Sequence, residues 1–291
     1  MLQTIKAYLL SSKYLPRFNH DTNVPIFLKI LSYLAIKKTL PSLDEKIQNR
    51  SISNKYNFMR RKRKILIDDE INELIVHIFF SDLNINEYQK KRDLFKLQIK
   101  SKNFCAPKYS VILNSLNLLA IVEKKISGVS LNNCDHYYLE KFLDNYLDEI
   151  KANWIYSQNS KSGKLVYETL SSSFEKIKKV LKPDSPFFNL YNFCGEPFDK
   201  KEGFWPVAPC HGQILPNNVI YSKKDEKYYF IDYEPDSMGD APFGYDYCFF
   251  VLYGADLLSL KYKIKLKEEF MKLINKYHFQ KAFLAQILWW S

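Results

Sequence analysis

Cys210-His-Gly-Gln-Ile-Leu-Pro-Asn-Asn-Val-Ile-Tyr221, followed shortly by Tyr228-Tyr-Phe-Ile-Asp-Tyr-Glu234, is the stretch on which the fold turns. It reads as a tight loop, a short hairpin and an acid at the end of the second strand. Gly212 permits a sharp backbone turn. Asn218–Tyr221 and Tyr228–Asp232 are strand-like runs joined by the charged turn Ser222–Lys227.

Downstream, Tyr245 to Trp290 is helical and rich in aromatic residues. Upstream, Tyr138 to Trp154 carries Leu139, Phe142, Leu143, Tyr146, Leu147 and Ile150 at helix spacing. Val166 to Leu181 is a second amphipathic helix, ended by Pro183. The segment 184–210 is loop-rich, with four prolines. Before Gly128 the period changes. Lys64 to Asp69, Glu73 to Phe80 and Leu116 to Ile126 read as strands, and Pro107 opens another strand region. Asn86 to Ile99 reads as a helix capped by Asn84 or Asn86, with Leu94, Leu97 and Ile99 on its apolar side. Residues 1–46 read as two helices; Ile26 to Ile36 has helical spacing and Pro41 marks its end. The expected organisation is a helical extension over 1–46, a small α+β lobe over 47–127 and a helical lobe over 128–291.

Composition separates the same halves. The chain has 291 residues and eight glycines, none of them before Gly128. No GxxxxGK[ST] or GxGxxG phosphate-wrapping loop can therefore exist in residues 1–127. Those residues carry 23 basic and 11 acidic side chains, while 128–291 carry 20 and 21. Cys105, Cys134, Cys194, Cys210 and Cys248 form an odd, dispersed set without CxxC spacing. Such a set points to reduced, mostly buried thiols and a cytoplasmic protein. The N-terminus lacks the pattern of a signal peptide. The longest apolar stretch, Val24 to Ile36, is interrupted by Lys29 and too short to span a bilayer.

His211, Gly212, Pro216, Asn218, Ile231, Asp232 and Glu234, with the later Gly244-Tyr-Asp246, resemble the catalytic loop and metal-binding segment of the aminoglycoside phosphotransferase and choline kinase superfamily. That resemblance implies an α+β, two-lobed protein-kinase-like fold, with ATP and Mg²⁺ as cofactors and a small-molecule or saccharide hydroxyl as acceptor. It gives Asn218 and Asp232 the role of Mg²⁺ ligands, suited to a cation that prefers hard oxygen donors. It makes His211 a structural residue of the loop. Gln213 stands where the family has its catalytic Asp, and an amide cannot take a proton. Glu234 and Asp236 are the carboxylates nearest in sequence that could substitute.

The resemblance extends backward more loosely. Glu123 falls near the adenine edge, and Gly128 where the chain enters the helical lobe. Glu87 falls where an acid pairs with the phosphate-binding lysine, though it also suits a helix start. His77 falls at that lysine, and an imidazole is a poor replacement for an ammonium. Ser51-Ile-Ser-Asn54, with Ser53 and Asn54, resembles the phosphate loop, Ser51 standing for a glycine. Residues 184–210 and the C-terminal helices would form the substrate wall.

Arg60, Arg61, Lys62, Arg63 and Lys64 form the sharpest basic cluster. It reads as a solvated hairpin tip or as a peripheral contact with an anionic membrane surface. Absence of interleaved recognition elements speaks against nucleic acid. Two functions follow: a kinase acting on a small molecule or cell-envelope saccharide, or a pseudokinase that binds or scaffolds without transfer.

Overall fold

The structure is a computed structural model. It describes residues 56–61, 64–69, 73–79, 85–99, 101–115, 118–154, 163–180, 205–235, 237–277, 279 and 281–282. The N-terminal helices, the phosphate-loop segment 51–54 and the Trp289-Trp290 end lie outside them.

The chain forms two compact units. The first comprises the described residues up to Gln89 together with Pro107–Ile126; the second comprises Lys90–Ala106 and the chain from Ser127 onward. Lys90–Ala106 thus packs with the second unit, whereas the sequence boundary at 127 placed it in the first.

The first unit is built on an antiparallel five-stranded sheet. Its strands are β1 (Tyr56–Arg61), β2 (Lys64–Asp69), β3 (Leu74–Phe79), β5 (Tyr109–Ser115) and β6 (Leu118–Lys124), in the order β1-β2-β3-β6-β5. The run Leu-Ile-Val-His-Ile-Phe makes β3 a central strand. Val76, His77, Ile78 and Phe79 are all buried, so both faces are covered. Arg61 stands opposite Lys64 in the β1–β2 register, so the basic cluster flanks a hairpin turn. Lys62 and Arg63 themselves lie outside the described residues.

Helix α1 (Ile85–Leu97) starts in the first unit and ends in the second. Its buried residues are Tyr88, Arg92 and Phe95, spaced i, i+4, i+7 along one stripe. The expected apolar side is therefore corrected. Leu94 is 37% exposed and Leu97 65%, because both lie off that stripe. The reading failed because it counted Leu94 and Leu97 as the inward face, whereas one of the buried stripe residues is an arginine.

The second unit holds β4 (Phe104–Cys105), β7 (Val129–Ser130), α2 (His136–Ala152), α3 (Gly163–Val180), β8 (Val207–Cys210), β9 (Val219–Ser222), β10 (Lys227–Phe230), β11 (Gly239–Pro242), α4 (Tyr245–Gly254) and α5 (Leu260–Tyr277). The expected hairpin is β9–β10, flanked by β4 and β7 in a four-stranded sheet; β8 and β11 form a separate pair. The expected stripe of α2 is buried at Leu139, Phe142, Leu143, Tyr146 and Leu147. Phe142 meets Phe104, Tyr228, Phe230 and Phe250 at ring-centroid distances of 4.7–5.9 Å. This aromatic core holds the hairpin. Helix α4 is buried throughout residues 245–250, as expected of a helix that is apolar on every side. Gly128 permits close chain passage, since a Cβ there would lie 2.5 Å from the Tyr221 carbonyl oxygen.

Candidate active site

The loop after β8 is held by its own backbone. The Asp246 carboxylate, in the first turn of α4, accepts from the His211 N–H at 2.7 Å and the Gly212 N–H at 2.8 Å. Burial pushes this carboxyl up to about 7, against the opposing pull of those two donors. Gly212 has φ +83°, and a Cβ there would sit 2.0 Å from the Ser237 carbonyl oxygen. Only glycine fits the turn.

His211 is fully buried. Its Nε2 lies 3.0 Å from the Ile231 carbonyl oxygen, which fixes Nε2–H as the donor. The ring packs on Tyr233 at 4.4 Å and on Phe95 of α1 at 5.6 Å. Tyr233 in turn lies under the Arg92 guanidinium, 4.2 Å from its ring centre. The Nε2–H of His211 ties the loop to Ile231, just past the end of β10.

Asn218 donates from Nδ2 to the Gln213 carbonyl oxygen at 2.9 Å. That bond commits the amide nitrogen and makes Oδ1 the remaining hard donor. The Asn218 carbonyl accepts from the Ile231 N–H at 2.9 Å. Asn218 is thereby fixed beside the residue that precedes Asp232. Asp232 is buried and has φ +67°. Non-glycine residues adopt this conformation rarely, Asp and Asn several-fold more than most, and it concentrates at functional sites. Gln213 is half-buried and donates from Nε2 to Glu234 Oε2 at 2.9 Å. Asp236 lies outside the described residues.

These residues suit a Mg²⁺ ion. Asn218 Oδ1 and the carboxylate of Asp232 are hard oxygens, and Mg²⁺ is commonly held by one or two carboxylates together with substrate phosphates. Among the described residues no three or more His, Cys, Asp or Glu side chains gather into a metal cage.

In the first unit the loosely matched residues are placed differently from one another. His77 and Glu123 form a buried pair, Nε2 to Oε2 3.2 Å, on the diagonal of the β3–β6 register. Glu123, expected at the adenine edge, thus has its carboxylate on the imidazole. Glu87 is exposed in the first turn of α1. Ser53 and Asn54 lie outside the described residues. The sequence reading missed Asp246 as the clamp of the loop and Arg92 as a buried cation. An acid opening an otherwise apolar helix was the available signal for the first. For the second, an arginine on the Tyr88–Phe95 stripe was the signal.

No protein-family model matches the sequence, and no curated protein matches it. In three dimensions the chain is similar to the aminoglycoside phosphotransferase APH(4)-Ia, with 12% identity over 85% of this chain and 88% of that one and a TM-score of 0.56. It is similar to APH(2")-IIia, solved with GDP and kanamycin, with 12% identity, 84% and 86% coverage and a TM-score of 0.53. It is also similar to APH(3'')-Id from Streptomyces rimosus, with 11% identity, 86% and 96% coverage and a TM-score of 0.51. These likenesses establish the kinase-like α+β fold that the loop motif implied. Among the described residues no helix is long and apolar enough to cross a membrane.

Proposed function

We propose that this chain is an ATP–Mg²⁺-dependent phosphotransferase acting on a hydroxyl of a small molecule, with cell-envelope saccharides as one class of acceptor. The observation that carries the reading is the Asn218–Ile231 backbone bond, which brings buried Asn218 beside the residue that precedes the buried, left-handed Asp232. Phosphoryl transfer asks little covalent work of a protein and much positioning. The solved proteins of like fold are aminoglycoside phosphotransferases, and one was solved with GDP, which supports a nucleotide donor.

In this reading Asn218 and Asp232 hold the metal. Held by these two side chains, Mg²⁺ would supply positive charge against the phosphoryl oxygens. The acceptor oxygen bonds to the γ-phosphorus as the bond to the β,γ-bridging oxygen breaks. Gln213 cannot take the hydroxyl proton, but its Oε1 can orient the hydroxyl while Nε2 stays on Glu234. Glu234 then stands as the carboxylate that receives the proton.

The second reading, a pseudokinase, is favoured by the His77–Glu123 pair, which engages the imidazole at the expected lysine position. Thermal shift with ATP and Mg²⁺, then turnover across sugars and amino alcohols, separates the two. Binding with turnover that Asp232→Asn or Asn218→Ala abolishes supports the kinase. Full turnover in either variant sinks it. Binding without turnover, rescued by Gln213→Asp, places the defect at the base, whose typical worth is about 10²- to 10⁴-fold. Neither binding nor turnover leaves the scaffold.

A further inference from the structure

Residues 128–291 carry 20 basic and 21 acidic side chains, yet the start of α5 breaks this balance. Its first eight residues are Leu260-Lys-Tyr-Lys-Ile-Lys-Leu-Lys267. Tyr262, Leu266 and Leu273 are buried and fasten the helix to its unit. Leu260 is 75% exposed and Ile264 58%. At ~100° per residue, these two point roughly opposite the buried stripe. Lys263 and Lys267 flank them on one side, and Lys261 and Lys265 on the other.

This arrangement works against the helix itself. Four lysines occupy the first two turns, where the macrodipole disfavours cations. Lys261/Lys265 and Lys263/Lys267 are like-charge i,i+4 pairs. Among the described residues only Lys265 is relieved by an acid, Asp144 at 2.9 Å. The side chains of Lys261, Lys263 and Lys267 meet no acid among the described residues. A local conflict of this kind, relieved at one of four lysines among the described residues, marks a surface kept for something outside the fold.

We infer that the outer face of α5 docks on an anionic lipid surface, with Leu260 and Ile264 entering the acyl boundary and the flanking lysines on the headgroups. Charge complementarity names the sign of the partner, and the apolar line names its class. A planar interface accepts apolar side chains at the centre of the contact and cations on either side. A nucleic-acid backbone would meet Leu260 and Ile264 at the middle of its footprint, where it offers phosphates. The inference is independent of phosphoryl transfer and of the β1–β2 hairpin.

Co-sedimentation of the full chain with vesicles tests it. Phosphatidylcholine vesicles containing phosphatidylserine should bind the chain and pure phosphatidylcholine should not. Binding should fall as salt rises from about 0.1 M to 1 M and the Debye length shrinks from ~10 to ~3 Å. Changing Lys261, Lys263 and Lys267 to Gln should cost about fivefold each, on the order of a hundredfold together. The three Arg replacements should retain binding. Leu260→Ser with Ile264→Ser, at unchanged charge, should also weaken it; all these positions are exposed, so folding is not at issue. Unchanged binding in the Leu260/Ile264 variant overturns the inference. So does failure to bind the anionic vesicles, or loss only on changing Arg60 and Arg61. Retained vesicle binding, with lost binding of single-stranded nucleic acid or an acidic polypeptide in the lysine variant, also overturns it.

Discussion

Two single residues decide whether the loop after β8 exists. Gly212→Ala places a methyl against the Ser237 carbonyl at positive φ. The expected loss is at least about 2–3 kcal/mol, read by urea melts; a change within about 0.5 kcal/mol would show that the turn is looser than drawn. Asp246 gives a pH signature. Its folded value of about 7 lies above its ordinary 3.8, so protonated Asp246 favours the folded state. That contribution is full below the ordinary value and is lost as pH rises through the folded one. Asp246→Asn should flatten the stability profile across this window. It should also lower stability by about 1–3 kcal/mol, since one backbone N–H loses its acceptor. Equal slopes in the two proteins would contradict the assignment. Gly212 was legible in the sequence because a glycine-poor chain spends one there. The clamp by Asp246 left one mark, an acid opening an otherwise apolar helix, but its partners are backbone donors 34 and 35 residues away and leave no side-chain pattern.

Helix α1 shows what periodicity reads and what it misreads. Its existence follows from the pattern, but its inward face does not, since the stripe Tyr88–Arg92–Phe95 includes a charge. The guanidinium is accommodated by lying over Tyr233, a partner absent from any local window. Phe95 also touches His211, Phe230 and Tyr233 at 5.6–5.9 Å. Phe95→Ala should therefore cost about 3–5 kcal/mol. Leu97→Ala, on the exposed side, should stay within about 0.5 kcal/mol. Comparable losses for both would restore Leu97 to the core. The hairpin β9–β10 was read nearly to its ends, because two short apolar runs around a charged turn admit few other structures. The same local logic could not foresee β4 joining its edge, a pairing of Tyr228 with Phe104 across more than a hundred residues.

At the scale of the chain, glycine content and charge change near residue 128, and the contacts divide the chain into two compact units with other bounds. That change could not foreshadow that Lys90–Ala106 crosses the boundary, because a helix shared between units looks like any other helix in sequence. Each unit has its own core: Val76, Ile78, Leu119 and Ile121 in one, and the Phe142 aromatic cluster in the other. Chains built this way commonly depart from two-state unfolding. Ile78→Ala, at a fully buried position of β3, should destabilise its sheet by about 2–5 kcal/mol. Native-state hydrogen exchange resolves where that loss is felt. Amides of β2, β3 and β6 should lose protection, while the His211 and Gly212 amides bound to Asp246 should keep theirs. Equal loss in both sets would mean that α1 couples the units into a single cooperative structure, and changes in the sheet would then reach the loop directly.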